Sequence, residues 1–195
     1  MHLPQGLAFA AGFCAMLQSA AIESLIPGFD LVDVAWDVEI FPGGPHIVLN
    51  GTVQQVYAQL IEINPDFSID LSDLFDYDDD DAAVVVDDSL RDYFCFGRWP
   101  GTSRRRIGEG IRYLRGLPGT PSLPPGPGSC GRVSCSYNAA IFVCNDNTGY
   151  PNLNSWNLVA DGADYINSRC IGGGDTAGQV FYHENWNVIV RQDNC

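Results

Sequence analysis

The chemistry this chain can do rests mostly on sulfur. Seven cysteines are present. Cys14 lies in an apolar amino-terminal run, and the other six, Cys95, Cys130, Cys135, Cys144, Cys170 and Cys195, fall in the second half. None stands in the close C-x-x-C spacing from which zinc sites are built. An even set in an exported chain points to three disulfides. Acid–base candidates are few. Beyond His2, histidine occurs only at His46 and His183. His183-Glu184 falls in an expected hairpin turn near Asp193, where an acid/base pair would suit a secreted hydrolase. Ser134, Ser136 and Tyr137 flank cysteines, but no G-x-S-x-G elbow surrounds them. No catalytic residue, metal ligand or cofactor is assigned.

Two side-chain groups suit recognition instead. Trp99, Trp156, Trp186, Tyr137 and Tyr182 could line a platform for a sugar or a protein partner. Arg104, Arg105 and Arg106 form the one dense basic cluster. The candidate recognition surface is Arg104, Arg105, Arg106, Trp156 and Trp186. The cluster is thin evidence for nucleic acid in a region near neutrality, so no nucleic-acid partner is expected. Asn50-Gly51-Thr52 is an N-glycosylation sequon, with Asn50 the acceptor. Asp76, Asp78, Asp80 and Asp87 occupy EF-hand ligand spacings, but Asp81 stands where that loop needs glycine. A solvated linker explains them more simply than calcium.

Composition divides the chain that carries these groups. Leu7–Leu17 is apolar, and Ser19-Ala20-Ala21 supplies the small residues of a signal-peptidase site, so residues 1–21 read as a secretory signal. From Ile22 to Arg91 there are 16 acidic residues and one arginine; from Asp92 to Cys195 there are 8 acidic residues and 9 arginines. Residues 22–75 therefore form an acidic amino-terminal region, 76–91 an Asp-rich linker, and 92–195 a cysteine-rich domain. The front, opposite in charge to the arginine cluster, reads as a pro-region that shields it until cleavage near Arg91.

The elements that position the cysteines follow from period and punctuation. In the front, strands are expected over 34–41 and 46–49. Thr52 and Gln55 then form a capping box, and a helix runs to Pro65. In the back, 92–98 reads as a strand. A helix runs from Ser103 through Leu114 with Ile107, Ile111 and Leu114 inward. Its triple arginine sits at the wrong end for the helix dipole, a local conflict of the kind that can mark function. Ala139–Val143 is the central strand. A helix capped near Asn154 or Ser155 buries Val159, Ala163, Ile166 and Cys170 and stops at Gly172-Gly173-Gly174. Strands at 177–183 and 186–191 close the chain.

The resulting fold class is α+β: a small disulfide-stapled α/β sandwich with split β-α-β units in the order β-α-β-α-β-β, preceded by a short β-β-α acidic region. In a β-α-β unit the helix runs back along its strand, so Cys170 should lie near the start of the central strand and away from Cys144. The last strand delivers Cys195 to the same end. The expected pairing is Cys95–Cys144, with Cys130 and Cys135 sharing Cys170 and Cys195.

Ile111-Arg-Tyr-Leu-Arg-Gly, Cys130-Gly-Arg-Val-Ser-Cys135-Ser-Tyr-Asn-Ala-Ala-Ile and Asn185-Trp-Asn-Val-Ile-Val-Arg-Gln-Asp-Asn-Cys195 resemble a family of small secreted cysteine-rich proteins of filamentous fungi. The order of elements is more loosely similar to killer toxins of the killer protein 4 type and to necrosis-inducing effector domains. These resemblances imply a compact disulfide-held α/β sandwich. They also imply an effector- or toxin-like role exercised by surface recognition, without catalysis, on an extracellular protein, membrane or cell-wall target. A monomer is expected. A secreted hydrolase with a site near His183 and a carbohydrate- or cell-wall-binding module are the alternatives.

Overall fold

The computed structural model describes residues 26–41, 43–69, 88–151 and 153–195. The signal segment and Asp76, Asp78, Asp80 and Asp87 lie outside the described residues.

The architecture grows from one hairpin. Strand β7 (Ser129–Ser136) and strand β8 (Ala139–Asn145) are joined by Tyr137-Asn138 alone. Both turn residues have positive φ, +48° and +61°, the sense that matches the right-handed twist of the strands they link. Every residue of β8 is buried, as its unbroken apolar run requires of a central strand. Four further strands extend the hairpin into a six-stranded sheet. They are β1 (Asp30–Val32), β4 (Leu90–Cys95), β11 (Gly178–Tyr182) and β12 (Trp186–Gln192), in the order β1-β7-β8-β12-β11-β4. Only the β1–β7 pair is parallel among these neighbours.

One face of the sheet carries three helices. These are α1 (Val53–Ile63), α2 (Arg104–Gly116) and α3 (Trp156–Arg169). Their starts follow their caps: the Thr52 N–H donates to Gln55 Oε1 at 2.8 Å, and the Asn157 N–H donates to Ser155 Oγ at 3.1 Å. Val53, Val56 and Leu60 of α1, Ile107, Ile111 and Leu114 of α2, and Val159, Ala163 and Ile166 of α3 meet Val133, Ile141, Val143 and Val188 in one core. Two glycines inside these helices have packing reasons. A Cβ on Gly110 would come within 2.5 Å of Ser134 Oγ, and one on Gly162 within 2.8 Å of both the Tyr182 hydroxyl and Val188. The loss of helix propensity at Gly110 is the condition for α2 to lie close on β7.

The other face is covered more thinly, by Ile26 and Trp99 over Cys130, Phe142, Cys144 and Ile189. A buried polar chain crosses it. Trp99 Nε1 donates to Gln179 Oε1 (3.2 Å), Gln179 Nε2 to Asn187 Oδ1 (2.8 Å), and Asn187 Nδ2 to Asp146 Oδ2 (2.8 Å). Each group is thereby satisfied inside the protein.

The fold is α+β and stapled by three disulfides, but its order differs from the expected one. The stretch 129–136, for which no element was expected, is a full strand, and short strands β5 (Thr102–Ser103), β6 (Thr120–Ser122), β9 (Ile171–Gly172) and β10 (Asp175–Thr176) edge the layers. In the front, β1 precedes the two expected strands, now β2 (Ala35–Glu39) and β3 (His46–Asn50).

The extra strand overturns most of the expected pairing. The bridges are Cys95–Cys170, Cys130–Cys144 and Cys135–Cys195. Because β7 runs toward the 137–138 turn, Cys130 sits at its far end, beside Cys144 rather than beside Cys135. A register shift between Arg132 and Ser134 places Cys130 directly opposite Cys144. Without that bulge Cys144 would face Gly131. Cys95 lies at the end of β4 opposite Gly178, close to where α3 delivers Cys170. Cys144 is therefore out of its reach. The Cys135–Cys195 bridge is one of the pairings allowed by the sequence argument.

The described part of the acidic front is built into the same core. Trp36 of β2 stacks on Trp156 of α3 with ring centroids 3.6 Å apart, both essentially inaccessible. Strand β6, from the Pro/Gly-rich connection, pairs with β2. Gln54 of α1 donates to Ser134 Oγ (2.8 Å) and accepts from the Cys135 N–H (3.2 Å). A Cβ on Gly116 would meet Ile69, and the Ser89 carbonyl accepts from the His183 N–H.

Two outcomes follow. Trp36→Ala should lower unfolding stability by about 3–5 kcal/mol, the usual cost of deleting a buried large aromatic, read from urea melts. A chain consisting of residues 92–195 alone exposes Trp156 and the α1 footprint on β7, and should lack the cooperative urea transition expected of a chain that includes residues 26–69.

Candidate functional site

The most unusual surface residue is Tyr137, at the tip of the β7–β8 hairpin. It is 73% exposed and holds φ +48°. Bulky residues rarely adopt that region, which Asn and Gly fill more comfortably. Such strain costs about 1–3 kcal/mol and persists only where the surroundings enforce it. Here they do. Cys135, two residues before, is bonded to the terminal Cys195. The Asn138 carbonyl accepts from Thr102 Oγ1 (3.1 Å) and from the Asp193 N–H (3.2 Å). Asp193 and the Asn194 carbonyl are in turn held by Arg132 Nη1 at 2.8 and 2.7 Å.

The ring of Tyr137 meets one of the candidate arginines. The Arg106 guanidinium lies 3.9 Å from the ring centroid, a cation–π contact worth about 0.5–1 kcal/mol at an exposed site. Arg106 Nη1 also reaches both Glu109 carboxylate oxygens at 2.9 Å. Hydrogen bonding to Glu109 pushes the Arg106 pKa above its ordinary value, against a smaller opposing effect of desolvation. Arg105, one position back, is largely exposed and lies 3.6 Å from Glu109. Arg104 Nε donates to the Asn167 carbonyl at 3.0 Å, tying the start of α2 to the end of α3. The first turn of α2 thus presents its positive charge beside a rigid, exposed aromatic. Neither group needs to reorganise on binding, which lowers the entropic cost of association.

The two tryptophans assigned to this surface do not belong to it. Trp156 is buried under Trp36, and Trp186 is buried in a stack with Tyr182, centroids 3.8 Å apart. Trp99 is also buried, with its indole N–H bonded to Gln179. The expected platform reduces to Tyr137, because the indoles fill the two cores on either side of the sheet. The sequence does carry a sign of Tyr137. A two-residue Tyr-Asn break between two strand-like runs is a hairpin tip, and the residue at a tip points to water.

His183 is exposed in the turn between β11 and β12, whereas Asp193 lies at the other end of β12, paired with Arg132. Seven strand residues, about 20–24 Å, separate the two, so the acid/base pair is not assembled. Asn50 ends β3 with an exposed side chain. Thr52, the third sequon residue, is buried in the cap of α1. One shallow cavity of about 200 Å³ lies between Val32, Val34, Gly51, Gln55 and the Arg132–Asp193 pair, below the usual size of small-molecule sites. Among the described residues, no group of three or more His, Cys, Asp or Glu side chains is placed to hold a metal ion. No family model matches the chain, and neither the curated proteins nor the solved structures include a match to it.

Tyr137→Asn should raise stability by about 0.5 kcal/mol, because relief of the left-handed strain outweighs the lost cation–π contact. Urea melts with an unchanged m-value would show it.

Proposed function

We propose that this protein is a secreted, non-enzymatic effector- or toxin-like protein that acts by surface recognition outside the producing cell. The observation that carries this reading is Tyr137. A strained, exposed aromatic is braced from both sides by a disulfide and by backbone bonds, and backed by Arg106. A substitution to asparagine would be cheaper for the fold, so this side chain stands at a cost to stability, as residues at functional sites often do. Tyr and Arg are also the residue types that dominate binding hot spots.

Other features support the extracellular setting. Three disulfides are typical of chains that work in oxidising compartments. Residues 1–21 carry the pattern of a secretory signal, and no helix among the described residues is long and apolar enough to cross a membrane. The resemblance of the Cys130–Ile141 and Asn185–Cys195 stretches to small secreted cysteine-rich proteins of filamentous fungi fits the same picture, and a glycan on Asn50 would be compatible with it. Attachment would occur before α1 forms, while the Thr52 hydroxyl is still accessible.

Fluorescently labelled protein applied to intact yeast and plant cells tests the reading. Saturable binding by flow cytometry is expected, about tenfold weaker for Tyr137→Ala and unchanged for His183→Ala. Equal binding by the Tyr137 variant, or loss of binding in the His183 variant, would move the functional surface elsewhere.

A further inference from the structure

Topology concentrates charge at the end of the molecule that Tyr137 marks. Arg104, Arg105 and Arg106 form the first turn of α2, immediately after β5, whose Thr102 hydroxyl bonds the Asn138 carbonyl. The Pro100 carbonyl accepts from the Gln192 N–H. That bond brings Arg98 and Arg191 to the same end, where both guanidiniums lie over the Trp99 ring, 4.9 and 5.4 Å from its centroid. Five of the ten arginines therefore gather here. Among the described residues Glu109 pairs with Arg105 and Arg106, and Arg132 is answered by Asp193. Two exposed apolar side chains belong to the elements at this end: Tyr137, under the Arg106 guanidinium, and Ile171 at 54% exposure. Ile171 opens β9, which joins β5 through β10: Thr176 of β10 is the register partner of both Thr102 and Ile171.

This arrangement runs against the whole-chain charge of −14. Charges farther away than about 8–10 Å are screened at physiological salt. An anionic surface therefore senses the charge of the patch it approaches rather than the net charge of the whole chain. Guanidiniums on one pole with an exposed aromatic and an exposed aliphatic side chain are a combination suited to a headgroup layer, with the apolar groups in the interface and the cations on the phosphates.

We infer that the Tyr137 pole docks on an anionic phospholipid bilayer, Tyr137 and Ile171 entering the headgroup layer while Arg98, Arg105 and Arg106 meet the lipid phosphates. The inference rests on the proposed action at a cell surface and names the surface component bound.

Co-sedimentation with vesicles tests it, using phosphatidylcholine alone and phosphatidylcholine mixed with phosphatidylserine. Binding is expected to the mixed vesicles only, and should be lost at about 1 M salt, where the screening length falls to about 3 Å. Removing two surface cations in Arg98→Ala/Arg105→Ala should weaken it about 30-fold. Tyr137→Asn, which keeps the fold, should weaken it about tenfold, and His183→Ala at the opposite pole should leave it unchanged. Absence of binding to either vesicle, or equal binding to both, overturns the inference. So does binding to soluble polygalacturonate or heparin without binding to vesicles, which would assign the pole to an acidic polysaccharide. Cells that bind the protein while vesicles do not would sink this inference and leave the cell-surface reading standing. Vesicles that bind while cells do not would do the reverse.

Discussion

The register of the β7–β8 hairpin is the constraint on which the rest of the structure depends. Two residues, Tyr137 and Asn138, turn the chain, and one bulge past Ser134 shifts the count so that Cys130 faces Cys144. That bridge lies across adjacent strands and locks the shift in place. The helices then have a fixed surface to pack on. Gly110 brings α2 against Ser134, and Gln54 brings α1 against Ser134 and Cys135. A slip of one residue would turn Val133, Ile141 and Val143 away from the helices and destroy the core.

The same hairpin joins stability to the proposed activity. Its far end is closed by a disulfide inside the second core, and its near end by the terminal Cys195 and a set of backbone bonds. Between these anchors the chain can hold a tyrosine in a conformation it would otherwise leave. The stack of Trp36 on Trp156 plays the corresponding role for the front of the chain. It commits an acidic, cysteine-free segment to a cross-linked core without any covalent tie among the described residues. Charge does not oppose this, because the front's contacts with the core are apolar or neutral hydrogen bonds.

Much of the architecture was legible in the residues themselves. Capping signals at Thr52 and Ser155 placed two helices to within a residue or two, because a cap is a local hydrogen-bonding problem with few solutions. The apolar run at 139–143 identified the central strand, since only a strand covered on both faces tolerates such a run. The strand at 129–136 was missed. Its glycine, serines and arginine break the apolar alternation, and its strand character comes from pairing on both sides, with β1 and β8. The arginine cluster was visible as a charge conflict at a helix start. The tryptophans were misassigned because an indole suits a core and a binding platform equally well, and only packing distinguishes the two.

By itself the sequence determined the class of object: an α+β chain with six cysteines in its second half and carboxylates segregated from arginines. Those properties are sums and local patterns, which survive any arrangement of the elements. The tertiary structure alone decided which cysteines meet, that the described part of the acidic front shares the core, and that Arg98 and Arg191, distant in sequence, meet over the Trp99 ring. Each of these depends on strand register and direction, and a bulge of one residue, with almost no local signature, sets that register.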